Sequence, residues 1–152
     1  MKNKYDKYSS YPPVKISDRK WPNKTITNSP IWCSVDLRDG NQALIEPMDS
    51  IRKMRMFKHL VKIGFKEIEV GFPSASETDF NFVRELITDN HIPEDVTVQV
   101  LTQSRKPLIE KTVESLKDCK NAIIHLYNST STLQRDIVFK ETMEGVKKIA
   151  TD

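Results

Sequence analysis

From Ile31 onward, short apolar runs alternate with longer segments in which apolar residues recur at helical spacing. The short runs are rich in Val, Ile and Leu, and each is followed by polar residues. Continuous apolar runs of this length are typical of β-strands that are covered on both faces. The four predicted strands are residues 31–37, 65–71, 96–101 and 122–127.

Four helices are predicted, one after each strand. The first begins at the Asp-Ser pair of residues 49–50, where either side chain can cap it, and it ends at Gly64. The second follows Ser76-x-x-Asp79, which resembles a capping box with Asp79 in place of the usual Glu or Gln. The fourth predicted helix spans residues 136–150.

A strand followed by a helix, repeated four times, predicts an α/β fold with a parallel sheet and helical crossovers. Two architectures fit: an open doubly wound sheet, or the first half of a (β/α)8 TIM barrel. Polar residues follow every predicted strand, and barrel enzymes build their sites at those strand ends. A doubly wound sheet places ligands mainly beside one switch point. This pattern favours half of a TIM barrel over residues 31–152.

Residues 1–30 are polar and contain four prolines, and no apolar periodicity is evident among them. We expect an extended N-terminal arm without a core of its own. Trp21 and Ile26 are candidates for anchoring this arm to a neighbouring surface.

Composition and charge narrow the class of protein. The net charge of +3 is spread along the chain rather than clustered, so no nucleic-acid partner is predicted. The two cysteines lack the spacing of a metal site, and unpaired thiols are typical of a reducing compartment. No apolar run is long enough to cross a bilayer, and the N-terminus has no apolar signal region. We therefore expect a cytoplasmic protein without a membrane partner.

The first predicted strand ends in residues with chemical potential. Asp39 is a carboxylate at a strand end and could fill one position around a hard cation such as Mg²⁺. The alternative is that Arg-Asp-Gly forms an ordinary turn. Arg38 could stabilise an oxyanion or bind a carboxylate, or it could form a structural ion pair.

Two further candidates lie within strands. Alternation places His125 on the same strand face as Ile123 and Tyr127. In a barrel, that face could point inward to the site. The alternative for His125 is a hydrogen-bonded core histidine. Glu69 is interpreted as a buried structural partner, of Arg38 or of a neighbouring loop, in preference to a direct role in chemistry.

Several stretches of the sequence resemble the 2-isopropylmalate synthases, a group within the DRE-TIM metallolyases. The similarity extends from about Trp21 to the last residue. The stretches that carry it are WCSVDLRDGNQALIEPM, KEIEVGFPSASETDF, QVLTQSR and HLYNSTS, at residues 32–48, 66–80, 99–105 and 125–131.

The resemblance implies a TIM barrel that condenses acetyl-CoA with 2-oxoisovalerate in leucine biosynthesis. It implies a divalent cofactor, with Mg²⁺ as the first choice and Mn²⁺ or Zn²⁺ as alternatives, and a homodimer for the full-length enzyme. The residue roles that it implies are charge stabilisation by Arg38, metal binding by Asp39, oxo-acid contacts by His125, a pocket for the isopropyl group at Leu101 and Tyr127, and supporting contacts by Asn41 and Gln42.

The resemblance also implies parts that the 152 residues do not contain. A TIM barrel typically needs about 250 residues, and the family's His-x-His metal pair is absent from this sequence. The glutamate partner of the arginine is likewise expected to lie outside the chain. The sequence therefore predicts the N-terminal half of a barrel, inactive by itself. The alternatives are a homocitrate- or citramalate-type synthase and a non-catalytic half-barrel that serves in assembly.

Overall fold

The computed structural model describes residues 17–18 and 28–152. Ile31–Asp152 forms one compact unit, which contains every strand and helix given below. The predicted arm of residues 1–30 lies almost entirely outside the described residues, as do its proposed anchors Trp21 and Ile26. The arm and its boundary therefore stay predictions.

A four-stranded parallel sheet forms the centre of the unit, and each strand pairs with the next one along the chain. Consecutive neighbours are the arrangement found in a (β/α)8 barrel, whereas a doubly wound sheet reverses its strand order at a switch point. The predicted half-barrel arrangement of strands and helices is confirmed. The strands are β1 (Cys33–Ser34), β2 (Glu67–Gly71), β3 (Thr97–Gln103) and β4 (Ala122–Tyr127).

The helices follow the strands as predicted, and local capping explains two of their starts. Asp49 caps α1 by accepting a hydrogen bond from the backbone N–H of Arg52 at 2.8 Å. Ser76 caps α2 through the N–H of Asp79 at 3.3 Å. A full capping box would also have the Asp79 side chain accept from the backbone N–H of Ser76. That part of the prediction was wrong, because the Asp79 carboxylate binds Lys53 and the N–H of Phe72 instead. The helices are α1 (Ser50–Ile63), α2 (Glu77–Thr88), α3 (Lys106–Ser115) and α4 (Met143–Thr151).

The first strand is shorter than predicted. Its predicted residues 35–37 instead enter a π-helical turn, Asp36–Gly40, which we call the Arg38 turn. The backbone N–H groups of Arg38, Asp39 and Gly40 all point to the carbonyl of Val35, at 3.2, 2.9 and 3.2 Å. Leu37 is fully buried inside this turn. Leu37 is apolar because it is buried in the turn, and its apolar character extended the predicted strand by mistake.

The predicted fourth helix is also divided. Residues Gln134–Phe139 form a π-helical segment, and α4 begins only at Met143. Lys140 between them has a left-handed backbone with φ of 54°, which ends the first segment. Thr142 then caps α4 by accepting a hydrogen bond from the N–H of Gly145 at 3.1 Å. The start of α4 therefore depends on the polar cap residue Thr142, and the spacing of apolar residues alone did not reveal it.

The two faces of the sheet differ in character. One face packs on α1 and α2 and forms the apolar core, and full burial of each large apolar side chain there is worth about 1.5–3 kcal/mol. The core contains Phe57, Phe82 and Leu86 from the helices and Ile68, Val70, Val98 and Val100 from the strands. Because side chains alternate along a strand, the residues between these positions point to the other face. We call that other face the site face; it carries Glu69, Gln99, Leu101, His125 and Tyr127.

Within the described residues, no helix combines the length and apolar character that crossing a membrane requires.

Replacement of Gly64 should test how α1 ends. Gly64 has a φ of +110° and no atom within 4 Å of an added Cβ, so Gly64→Ala introduces backbone strain without a clash. We expect a loss of about 1–2 kcal/mol in the free energy of unfolding, measured by urea titration. The matched control is Gly40→Ala, whose nearest atoms lie 3.9 and 4.0 Å from the added Cβ. An equal loss of unfolding free energy in the two variants would show that Gly64→Ala introduces no backbone strain.

Candidate functional site

A buried carboxylate, Glu69, lies at the centre of the site face. Its side chain is fully buried and accepts hydrogen bonds from Arg38 Nε, Gln99 Nε2 and His125 Nδ1. The distance from His125 Nδ1 to Glu69 Oε2 is 2.8 Å. Three donors on three separate segments of the chain thus converge on one side chain. We call these four residues the Glu69 cluster.

Arg38 connects this buried group to an exposed one. Its Nε donates to Glu69, while its Nη1 donates to Asp39 Oδ1 at 2.8 Å. The Arg38 side chain is 15% exposed, whereas that of Asp39 is 67% exposed. The interpretation of Glu69 as a buried partner of Arg38 is confirmed. The pair forms because β2 is the direct neighbour of β1 and brings Glu69 beside the Arg38 turn. The glutamate that the resemblance assigns to the arginine from elsewhere in the enzyme stays a prediction.

The Arg38 turn explains how two adjacent residues reach different surroundings. A strand would direct Leu37 and Asp39 to one face and Arg38 to the other. In the turn, Leu37 is buried, Arg38 reaches the buried Glu69, and Asp39 stays largely exposed. The Arg-Asp pair therefore places a fixed guanidinium group, that of Arg38, next to an accessible carboxylate, that of Asp39.

Leu101, His125 and Tyr127 lie together on the site face. Leu101 and His125 are direct partners in the register of β3 and β4, so their backbones are about 4.8 Å apart. The Tyr127 hydroxyl accepts a hydrogen bond from Gln103 Nε2 at 2.7 Å. Its ring meets that of Phe72 edge to face, with centroids 6.4 Å apart. The predicted substrate contacts are thus neighbours, next to the Glu69 cluster.

Asn41 and Gln42 lie after the Arg38 turn and play different structural parts. Asn41 is buried, and its Oδ1 accepts a hydrogen bond from the N–H of Met48 at 2.7 Å. It therefore supports the loop that follows the turn rather than touching Asp39. Gln42 is exposed. Both residues line a cavity of about 620 Å³ that Arg38 and Phe72 also border.

Some residues of the site were not predicted from the sequence. Gln99 is one of them, although alternation from Leu101 along β3 would have placed it on the site face. Phe72, Lys53 and Asp79 are others, and their contacts depend on packing between α1, β2 and α2. No local signal in the sequence marks Lys53, which reads as an ordinary helix residue.

The described residues offer a metal ion one ligand and not a complete set. No group of three or more His, Cys, Asp and Glu side chains in residues 17–18 and 28–152 is arranged to hold a metal. Asp39 is accessible and shares one oxygen with Arg38, so it fits a single position around a hard cation. Glu69 is a poor candidate, because its oxygens already accept three hydrogen bonds.

The charge of Glu69 is maintained by its partners. Burial by itself raises the pKa of this carboxyl group, but the hydrogen bonds from Gln99, His125 and Arg38 lower the pKa below its ordinary value. Burial raises the pKa of the Cys33 and Cys119 thiols, which agrees with packed cysteines in the protonated form.

The pH dependence of stability should show how much the charge of Glu69 contributes to the fold. At pH 7, Glu69→Gln should lower the free energy of unfolding by about 2–3 kcal/mol, because charge-assisted hydrogen bonds are lost in a buried place. In the unaltered protein, the lowered pKa stabilises the fold above the ordinary glutamate pKa of 4.5, and this stabilisation disappears as the pH falls through the lowered pKa. The difference between the two proteins should therefore shrink as the pH falls below about 4.5.

Urea titrations between neutral and acid pH measure this difference. The matched control is Glu94→Gln, since the Glu94 side chain is 93% exposed and lies 3.7 Å from Lys120. A difference between Glu69→Gln and the unaltered protein that stays constant with pH would show that the Glu69 charge does not matter.

Comparison with known proteins places this geometry in context. The chain is 63% identical to the 2-isopropylmalate synthase of Paraburkholderia phytofirmans over 150 residues, which are 99% of this chain and 26% of that protein. It is 60% identical to the 2-isopropylmalate synthase of Pseudomonas fluorescens over 152 residues, 100% of this chain and 27% of that protein. Identity with the enzyme of Clostridium acetobutylicum is 62% over 146 residues, 96% of this chain and 26% of that protein.

The chain thus spans about a quarter of the length of the curated relatives that it matches. The profile of the HMGL-like family covers residues 29–152, which include every strand and helix described above. On this match, the chain belongs to the HMGL-like family.

Proposed function

We propose that this chain supplies part of the active site of a 2-isopropylmalate synthase, which condenses acetyl-CoA with 2-oxoisovalerate. The observation that carries the proposal is the Glu69 cluster, which holds Arg38 and His125 on one face beside an accessible Asp39. The identity of about 60% with synthases from several bacteria supports the same assignment.

Arg38 is suited to stabilise negative charge on the reacting oxygens. Glu69 and Asp39 hold its Nε and Nη1, so the guanidinium is fixed before a substrate arrives. Among the hydrogen bonds of residues 28–152 none involves Nη2, so this end of the guanidinium would be available to a substrate oxygen. Donors that are already oriented stabilise a developing oxyanion without further reorganisation.

His125 is suited to contact the oxo acid. Its Nδ1–H donates to Glu69, which fixes the orientation of the ring. A ring that also carries a proton on Nε2 would donate a second hydrogen bond to an oxygen of the oxo acid. Leu101, the register partner of His125, and Tyr127 would provide the apolar surface for the isopropyl group. Asn41 and Gln42 would act by shaping the loop after the Arg38 turn.

Asp39 would hold one position of a divalent cation, with Mg²⁺ as the first choice and Mn²⁺ or Zn²⁺ as alternatives. When bound, such a cation polarises the keto group as a Lewis acid. Other ligands, the base for the acetyl methyl proton and the homodimer contacts would come from parts of the enzyme beyond this sequence. A cytoplasmic location fits this function and stays a prediction.

The role of Asp39 can be tested in a hybrid protein. In this hybrid, residues 1–152 replace the matching quarter of the Paraburkholderia phytofirmans synthase. Turnover is measured as release of the CoA thiol from acetyl-CoA in the presence of 2-oxoisovalerate and Mg²⁺. Asp39→Ala should reduce turnover by about 100-fold or more, since even lost contacts around a metal ligand cost about 10–100-fold.

The matched control is Asp95→Ala, which removes an exposed carboxylate whose partner is Lys66. It should change turnover less than about twofold. Equal turnover in the Asp39 variant and the control would remove Asp39 from the metal site. A hybrid that prefers another 2-oxo acid, such as 2-oxoglutarate or pyruvate, would favour the homocitrate- or citramalate-type alternative.

The 152-residue chain by itself should release no CoA thiol above the background of the assay. The reason is that Asp39 alone is too few ligands to hold a divalent cation tightly among the described residues. The same thiol assay, run over a range of Mg²⁺ concentrations, checks this expectation. Robust turnover by the chain alone would contradict the division of the site between this chain and other segments, and would favour a complete site here.

A further inference from the structure

A second charged pair, Lys53 and Asp79, lies on the helix side of β2. Lys53 of α1 is fully buried, and its Nζ donates to the carbonyl of Val70 at 3.1 Å and to Asp79 Oδ1. The Nζ also lies 5.2 Å from the centre of the Phe82 ring. Asp79, near the start of α2, is largely buried as well. The capping pattern around Asp79 does not account for this pair, and the Glu69 cluster does not include it.

Such a pair is a costly way to fill a core. Removing two charges from water costs several kcal/mol for each ion, and apolar residues of similar size often stabilise a core as well or better. A buried ion pair therefore suggests a task beyond stability. The remaining contact of Asp79 indicates a task in positioning the backbone.

The other oxygen of Asp79 holds the chain where β2 ends. Oδ2 accepts a hydrogen bond from the N–H of Phe72 at 2.7 Å. The approach is close, because a Cβ added to Gly71 would lie 2.8 Å from the Asp79 Cγ. Lys53 on Val70 and Asp79 on Phe72 thus hold the two residues that flank Gly71.

The Phe72 ring extends from this held stretch of backbone. The ring leaves the strand end and meets Tyr127 edge to face, at 6.4 Å and an interplanar angle of 72°. Tyr127 is held from its other end by Gln103. Phe72 also borders the cavity beside Arg38. A line of direct contacts therefore runs from Lys53 through Asp79 and Phe72 to Tyr127.

We infer that Lys53 and Asp79 are positioning residues that set the selectivity for the side chain of the 2-oxo acid, by holding Phe72 against Tyr127. This inference rests on the proposed function, in which Tyr127 touches that side chain. Lys53 and Asp79 touch no substrate themselves. They act through the backbone N–H of Phe72 and the packing of its ring.

Two double variants separate positioning from stability. Lys53→Met with Asp79→Asn removes both charges but keeps an oxygen that can accept from the Phe72 N–H. Lys53→Met with Asp79→Leu removes both charges and that acceptor, while keeping nearly the same side-chain shape. Both variants lose the Lys53 contact with Val70 equally, and only the Asn variant keeps an acceptor for the Phe72 N–H.

Selectivity is measured in the hybrid synthase, as the ratio of kcat/KM for 2-oxoisovalerate to that for the smaller 2-oxobutyrate. The Asn variant should keep this ratio within about twofold of the unaltered hybrid, and the Leu variant should lower it about tenfold, which is the scale of discrimination in an apolar pocket. The loss should appear mainly in KM for 2-oxoisovalerate. Phe72→Leu, which keeps the ion pair intact, should lower the ratio similarly.

A second measurement uses the 152-residue chain itself. Nuclear Overhauser contacts between the Phe72 and Tyr127 rings should persist in the Asn variant and disappear in the Leu variant. Persistence of these contacts in the Leu variant would overturn the inference. So would an unchanged selectivity ratio in the Phe72→Leu hybrid.

The two measurements also separate this inference from the proposed function. An unaltered hybrid that fails to use 2-oxoisovalerate would count against the proposed function, while the ring contacts would still decide whether Asp79 positions Phe72. A hybrid that uses 2-oxoisovalerate, with equal ratios in both double variants, would overturn the inference and leave the proposed function standing.

Discussion

The burial of one carboxylate, Glu69, is the constraint on which the site depends. A charged carboxylate inside a protein is tolerated only when donors satisfy its oxygens. Here those donors are Arg38, Gln99 and His125, and each belongs to a different segment of the chain. The requirement of Glu69 for partners therefore holds the Arg38 turn, β3 and β4 in one arrangement. The same bonds orient the side chains of Arg38 and His125, the two groups to which the proposed function assigns substrate contacts.

The second charged pair performs a comparable task on the opposite side of β2. Glu69 points to the site face, whereas Lys53 and Asp79 lie among the helices that cover the other face. The Glu69 cluster on one face and the Lys53–Asp79 pair on the other therefore fix β2 and the residues that follow it. β2 takes part in both sets of contacts because it lies between β1 and β3 in the sheet. β1 leads into the Arg38 turn, and β3 lies next to β4, which carries His125.

The site face lies within the residues that the HMGL-like family match covers. Three of the residues that the resemblance marks converge in space: Arg38 and His125 share Glu69, and Leu101 is the register partner of His125. The chain spans about a quarter of its curated relatives. The site described here is an arrangement of hydrogen-bond donors around Glu69 and one accessible carboxylate, Asp39.

The sequence by itself determined the order of strands and helices, because apolar spacing and capping residues such as Asp49 and Ser76 act locally. Alternation along β4 likewise placed His125 and Tyr127 on one face. Tertiary structure decided the rest. Leu37 looked like a strand residue because burial has the same apolar signature in a turn as in a strand. The partners of Glu69 and the burial of Lys53 depend on contacts between residues 17 to 56 positions apart, for which no local pattern exists.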